Sequence, residues 1–169
     1  MLFWPALKVT RFGQLKPGDL FVWMRSPGHF VGLKIDGPAP SDKPRALLLS
    51  GPEVPLSVPF VCGLHDEKVL LLPENCILQL STDGADWHAD VPDTREACIL
   101  LAGDKAYIRA NCSGIRDWFE PCWVALADGA LQPGRPEELG AITTKWRIVL
   151  PSESREARVI VAFGEGAEA

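Results

Sequence analysis

The chain has 169 residues, 47% of them hydrophobic and 23% charged, with a formal net charge of -5 from 17 Lys and Arg against 22 Asp and Glu. That composition is globular rather than disordered, the length suffices to bury a core without metal or disulfide support, and no basic cluster stands out to neutralise phosphates, so no nucleic-acid partner is expected. Every apolar run is broken by Pro, Gly or charge before the roughly 20 residues that span a bilayer, so no membrane partner is expected either.

Fifteen Gly and 15 Pro are scattered along the chain. Gly admits positive φ and Pro lacks an amide donor, so both punctuate elements and argue for short strands with very little helix. The first residues, Met1-Leu2-Phe3-Trp4-Pro5, are apolar but lack a basic start and a continuous hydrophobic stretch, and Lys8 and Arg11 follow. No export signal is expected from that pattern, which favours a cytoplasmic protein. Leu15-Lys16-Pro17-Gly18-Asp19 has the shape that opens many small β-barrels, with Leu15 plugging one end while Pro17 and Gly18 turn the chain.

Leu20-Phe21-Val22-Trp23-Met24, a turn at Ser26-Pro27-Gly28, and Phe30 to Ile35 predict a β-hairpin. In its second arm Val31, Leu33 and Ile35 alternate with Gly32, Lys34 and Asp36, the period of a half-buried antiparallel strand. Residues 37–44 hold three prolines and a glycine and read as a loop. Ala46 to Ser50, Val58 to Cys62, Val69 to Leu72 and Cys76 to Ser81 complete a first β unit over residues 1–82.

An Asp-rich connection over 83–96 follows, in which Asp93-Thr94-Arg95-Glu96 has capping-box spacing for one helical turn. A second unit over 97–163 begins with a hairpin, Cys98 to Leu101 and Ala106 to Ala110, turning at Gly103. Pro121 to Ala127, Thr143 to Leu150 and Arg158 to Phe163 are its later strands. Pro136-Glu137-Glu138-Leu139 suits one more helical turn, and residues 164–169 form a tail with nothing to pack.

The two units resemble one another. Gly28 followed by Val31, Leu33 and Ile35 returns as Gly103 followed by Ala106, Ile108 and Ala110. The run Ala46 to Gly51 resembles Val124 to Gly129, and the alternation Cys76, Leu78, Leu80 resembles Trp146, Ile148, Leu150. The expected fold is therefore all-β, with two similar antiparallel barrel-like or sandwich-like units from an internal duplication, or else one continuous sandwich.

Five cysteines form an odd set without a C-x-x-C pair, which suggests neither zinc ribbon nor redox motif. Cys76, Cys98 and Cys122 lie in apolar segments and read as buried thiols in a reducing cytosol. A bridge from Cys112 to Cys122 is the alternative.

Three clusters offer chemistry. Asp83, Asp86, His88 and Asp90 lie close together in the connection and could ligate a divalent cation, although the spacing is not that of an EF-hand and the same residues suit a solvated linker. Cys62-Gly63-Leu64-His65-Asp66 places thiol, imidazole and carboxylate together, yet catalytic sets of this kind assemble from distant positions. Arg116, Trp118, Phe119 and Trp123, with Trp23 on the first hairpin, could stack on a ligand or a partner, or simply pack in the core. No phosphate-binding glycine loop, nucleophile elbow or zinc-protease signature is present. The sequence therefore favours a non-enzymatic binding or assembly protein with no cofactor, whose partner is another protein or a second copy of the chain rather than a small molecule. A small metal-dependent enzyme or hydrolase is the competing expectation.

Overall fold

The computed structural model describes residues 7–26, 28–36, 44–51, 59–89, 97–112, 120–136, 140–152 and 156–164. Within them the chain is all-β, and its only helical elements are two single 3-10 turns, Phe12–Gln14 and Gly84–Asp86. Fifteen strands are described: β1 Lys8–Arg11, β2 Leu20–Arg25, β3 Gly28–Ile35, β4 Arg45–Ser50, β5 Phe60–Gly63, β6 Lys68–Leu71, β7 Ile77–Leu80, β8 Trp87–His88, β9 Ile99–Ala102, β10 Lys105–Cys112, β11 Glu120–Ala125, β12 Leu131–Pro133, β13 Ala141–Thr143, β14 Trp146–Leu150 and β15 Arg158–Phe163. The expected capping box at 93–96 and most of the Pro136 turn lie outside the described residues.

Twelve strands form one sheet and three form a second, and neither closes into a barrel. The barrel expectation is thus corrected. In the large sheet the first six strands are ordered β1-β6-β2-β3-β4-β5, and the next six β8-β13-β9-β10-β11-β12, every neighbouring pair being antiparallel. The runs join where β5 lies parallel to β10, Asn111 opposite Phe60. The small sheet is ordered β15-β14-β7, so the strands that follow the two runs pair with each other, Leu78 opposite Ile148.

Three apolar clusters explain the hydrophobic pattern. Phe12, Phe21, Trp23, Phe30, Ala46 and Leu48 fill one face of the first run, beneath the turn that carries Phe12 and Leu15. Cys98, Leu100, Tyr107, Trp123 and Ile142 fill the matching face of the second. The opposite faces of both runs, with the small sheet, share a central core that includes Val22, Leu33, Leu47, Ile99, Ile108, Val124, Trp146 and Ile148. Most of β3 is therefore buried on both sides rather than half-exposed: Phe30, Gly32 and Lys34 face the first cluster while Val31, Leu33 and Ile35 face the centre. Phe21 and Trp23 are covered by their own half, and Val22 by the shared core.

Several boundaries differ from the sequence reading. Thr143 to Leu150 is not one strand; it breaks at Thr144-Lys145 into β13 and β14, which enter different sheets. The short edge strands β1 and β8, and β12, carry too little apolar periodicity to have been read. Lys34 pairs with Ala46 and Arg109 with Trp123, so aligning Lys34 with Arg109 sets Leu47, not Ala46, level with Val124, one residue away from the sequence alignment. A one-residue slip swaps faces, and Leu47 and Val124 do share the central core.

A candidate binding cleft between the two halves

The Lys16–Asp19 turn is fixed by its own side chain and by β3. Asp19 Oδ2 accepts the Lys16 backbone N–H at 2.8 Å. Gly18 N–H donates to the Lys34 carbonyl at 2.8 Å, and Lys34 N–H donates back to the Asp19 carbonyl at 2.8 Å. Gly18 adopts φ 91° and approaches the second half so closely that a Cβ would stand 2.7 Å from the Ala127 carbonyl oxygen. The β11–β12 turn reaches across in the same way. Gly129, at φ 66°, accepts the Asp36 N–H at 2.8 Å and lies against the β3 backbone.

Between these turns, the β6–β7 turn and the small sheet lies a cleft of about 310 Å³, at the small end of the range for ligand pockets. Its floor is apolar, formed by Leu20, Leu33, Leu72, Leu78, Leu126 and Ile148, and its rim carries Lys16, Asp19 and Glu74. Cys76 lines one wall with a free thiol that burial holds above its ordinary pKa, hence protonated at neutral pH. No histidine lines the cleft among the described residues. Such a surface can hold a ligand by apolar contact and orient it by charge.

The residues singled out from sequence are placed elsewhere. Trp23 is 6% exposed, packs on Phe30 at 5.3 Å between ring centroids, and donates its Nε1 hydrogen to Glu67 Oε2 at 2.8 Å. Trp123 is equally buried in the second cluster. Both rings are occupied by packing. Arg116, Trp118 and Phe119 lie outside the described residues, as does Asp90. Asp83 caps the 3-10 turn by accepting the Ala85 N–H at 3.0 Å. Asp86 lies 2.7 Å from Lys145 Nζ and accepts the Ser81 hydroxyl. The bond from Lys145, and then that from Ser81, hold the Asp86 carboxyl below its ordinary pKa. His88 is exposed on edge strand β8. Among the described residues, no three His, Cys, Asp or Glu side chains come together to hold a metal.

In the Cys62 cluster, burial pushes the thiol up to about 11, the reverse of what a nucleophile needs. Asp66 accepts the Gly13 N–H at 2.9 Å and faces Arg11 at 3.4 Å, tying the first 3-10 turn to the β5–β6 connection. Beside it the Lys34 ammonium sits 4.2 Å from the Phe12 ring centroid. Burial lowers its pKa, while Asp36 and Asp66 oppose that shift. Cys122 is disulfide-bonded, whereas Cys62, Cys76 and Cys98 are in no disulfide. The reading of Cys122 as a free thiol is thereby corrected, and the expectation of a reducing cytosol loses one support. No helix among the described residues is long and apolar enough to cross a membrane.

The cleft was missed because its lining comes from five separate segments, each of which reads as ordinary turn or core. Only Gly18, between Pro17 and Asp19, marked a special backbone position. Compared with protein-family models, curated proteins and solved structures, the chain matches none.

Proposed function

We propose that the chain is a non-catalytic binding protein made of two copies of one seven-stranded unit, and that the cleft where the copies meet is its binding site. The single observation that carries the site is an apolar floor of ligand size ringed by Lys16, Asp19 and Glu74. What supports the two copies is agreement beyond strand order. The bond from Lys34 N–H to the Asp19 carbonyl has a counterpart from Arg109 N–H to the Cys98 carbonyl, at 2.8 and 2.9 Å. The contacts between halves also repeat with the halves exchanged: Asp36 N–H donates to the Gly129 carbonyl at 2.8 Å, and Asn111 N–H to the Pro59 carbonyl at 2.9 Å. Asp36 stands to Lys34 as Asn111 stands to Arg109, so both pairs follow one approximate two-fold relation.

A small molecule displaces a protein partner as the preferred occupant, since the described aromatics that motivated a partner, Trp23 and Trp123, are spent in packing. Amide-resolved NMR with a chemically diverse fragment set at millimolar concentration tests the site. Shifts clustered at Lys16–Leu20, Leu72–Leu78 and Leu126–Ala127 are expected. Shifts absent throughout, or scattered over both sheets, would sink the proposal.

A further inference from the structure

Resting on the two-copy reading, the second half supplies a template for what the cleft holds. The alternation Cys76, Leu78, Leu80 aligns with Trp146, Ile148, Leu150, which matches Leu78 to Ile148, and these two face one another across β7 and β14 as an exchange of the halves about their midpoint requires. Two positions earlier in each strand run, Cys76 exchanges with Trp146. The matched carbonyl bonds make Asp19 the counterpart of Cys98, and hence Gly18 that of Ala97.

In the second half the Trp146 side chain is 3% exposed, lies in the central core and stacks on Phe163 with 4.2 Å between ring centroids. Its Nε1 hydrogen is donated to the Ala97 carbonyl at 3.2 Å. In the first half the corresponding residue is Cys76, a far smaller side chain, and it lines the cleft of about 310 Å³. The acceptor position falls to the Gly18 carbonyl, whose residue lines the cleft.

We infer that the cleft binds a free indole-type small molecule, a flat aromatic ring with an N–H donor and a charged substituent. The ring takes the place that Trp146 fills in the other half, its N–H directed at the Gly18 carbonyl. The substituent lies at the rim, where the Lys16 ammonium and the Glu74 carboxylate can meet an anionic or a cationic group. Burial of the ring supplies most of the affinity, and the N–H bond supplies orientation.

The test titrates the full chain with indole, 1-methylindole and L-tryptophan, followed by amide-resolved NMR, in the wild type and in two variants. Wild type is expected to respond saturably to indole and L-tryptophan, with 1-methylindole about tenfold weaker because methylation removes the donor. Cys76→Trp is expected to remain folded, with an unfolding midpoint at or above that of wild type, and to lose indole binding at least tenfold because the cleft is then filled. Cys76→Ala, which removes the thiol without filling the space, is expected to bind within threefold of wild type. A Cys76→Trp chain whose midpoint collapses and whose resonances move throughout both halves overturns the match of Cys76 with Trp146, and the two-copy reading with it. A stable Cys76→Trp beside a wild type blind to indole overturns the ligand class alone. Equal affinity for indole and 1-methylindole, or loss of binding in Cys76→Ala, overturns the proposed pose.

Discussion

Replacing Gly129 by Ala tests the junction on which the cleft depends. Gly129 sits at φ 66°, where an L side chain costs roughly 1–2 kcal/mol. A Cβ there would lie 2.5 Å from the Lys34 carbonyl oxygen and 2.9 Å from Ile35 Cα, both backbone atoms in a strand buried on two faces, so the turn must retreat. Retreat stretches the 2.8 Å bond from Asp36 N–H to the Gly129 carbonyl, worth about 0.5–1.5 kcal/mol. With the residual clash, the expected loss is about 3–4 kcal/mol, or roughly 10 °C in unfolding midpoint for a chain of this size. Two controls separate the contributions. Gly134, at φ 82° with nothing within 4 Å of a Cβ, should lose only the roughly 1–2 kcal/mol of backbone strain. Gly84, with open space and no positive φ, should be neutral or gain up to about 1 kcal/mol as Ala. Urea unfolding followed by circular dichroism reads all three. If Gly129→Ala costs no more than Gly134→Ala, the close approach of the halves is refuted.

Trp23→Phe keeps a ring in the first cluster but removes the donor to Glu67, and is expected to cost about 1–2 kcal/mol in the same assay, with Trp23→Ala far worse. With its thiol near 11, Cys62 should react with iodoacetamide at pH 8 about a hundredfold more slowly than a free cysteine of ordinary pKa, and lose that protection in urea; mass spectrometry of labelled peptides follows it. Asp86, its pKa lowered in the folded state, contributes stability that is complete above its unfolded value and lost as pH falls through its folded value. Lys145→Met should return the carboxyl toward its ordinary pKa in an NMR titration and move the onset of acid unfolding to higher pH. An unchanged titration would mean that the 2.7 Å pair does not hold in solution.

The β class and most strand positions were legible because Gly and Pro punctuate apolar runs of strand length throughout the chain. What misled was the inference from alternation to exposure. Gly32 and Lys34 look like an outward face, yet Gly32 admits the Phe21 ring and Lys34 sets its ammonium over the Phe12 ring, so that face is buried too. The break between Thr143 and Trp146 was hidden since both segments are apolar and the Thr143 hydroxyl, which accepts the Lys145 N–H at 3.2 Å, makes the turn without Gly or Pro. Trp23 and Trp123 could not be told from binding aromatics by type alone; only their cover distinguishes them.

On the two-copy proposal, the lack of a linear signature for the site has a physical origin. Two copies packed about an approximate two-fold would begin with the same interior to fill, and the second half holds the Trp146 ring there, anchored by the Ala97 carbonyl and backed by Phe163. Putting Cys76 at the corresponding place removes most of that volume, and a close-packed core does not flow in to replace it. The walls are strands of the shared core and turns held close by Gly18 and Gly129, so on this proposal the lost volume would persist as the cleft with its charged rim. A binding site of this origin needs no motif. Its sequence trace is one small residue where the other copy has a large one, and that trace becomes readable only after the register of the two copies is known.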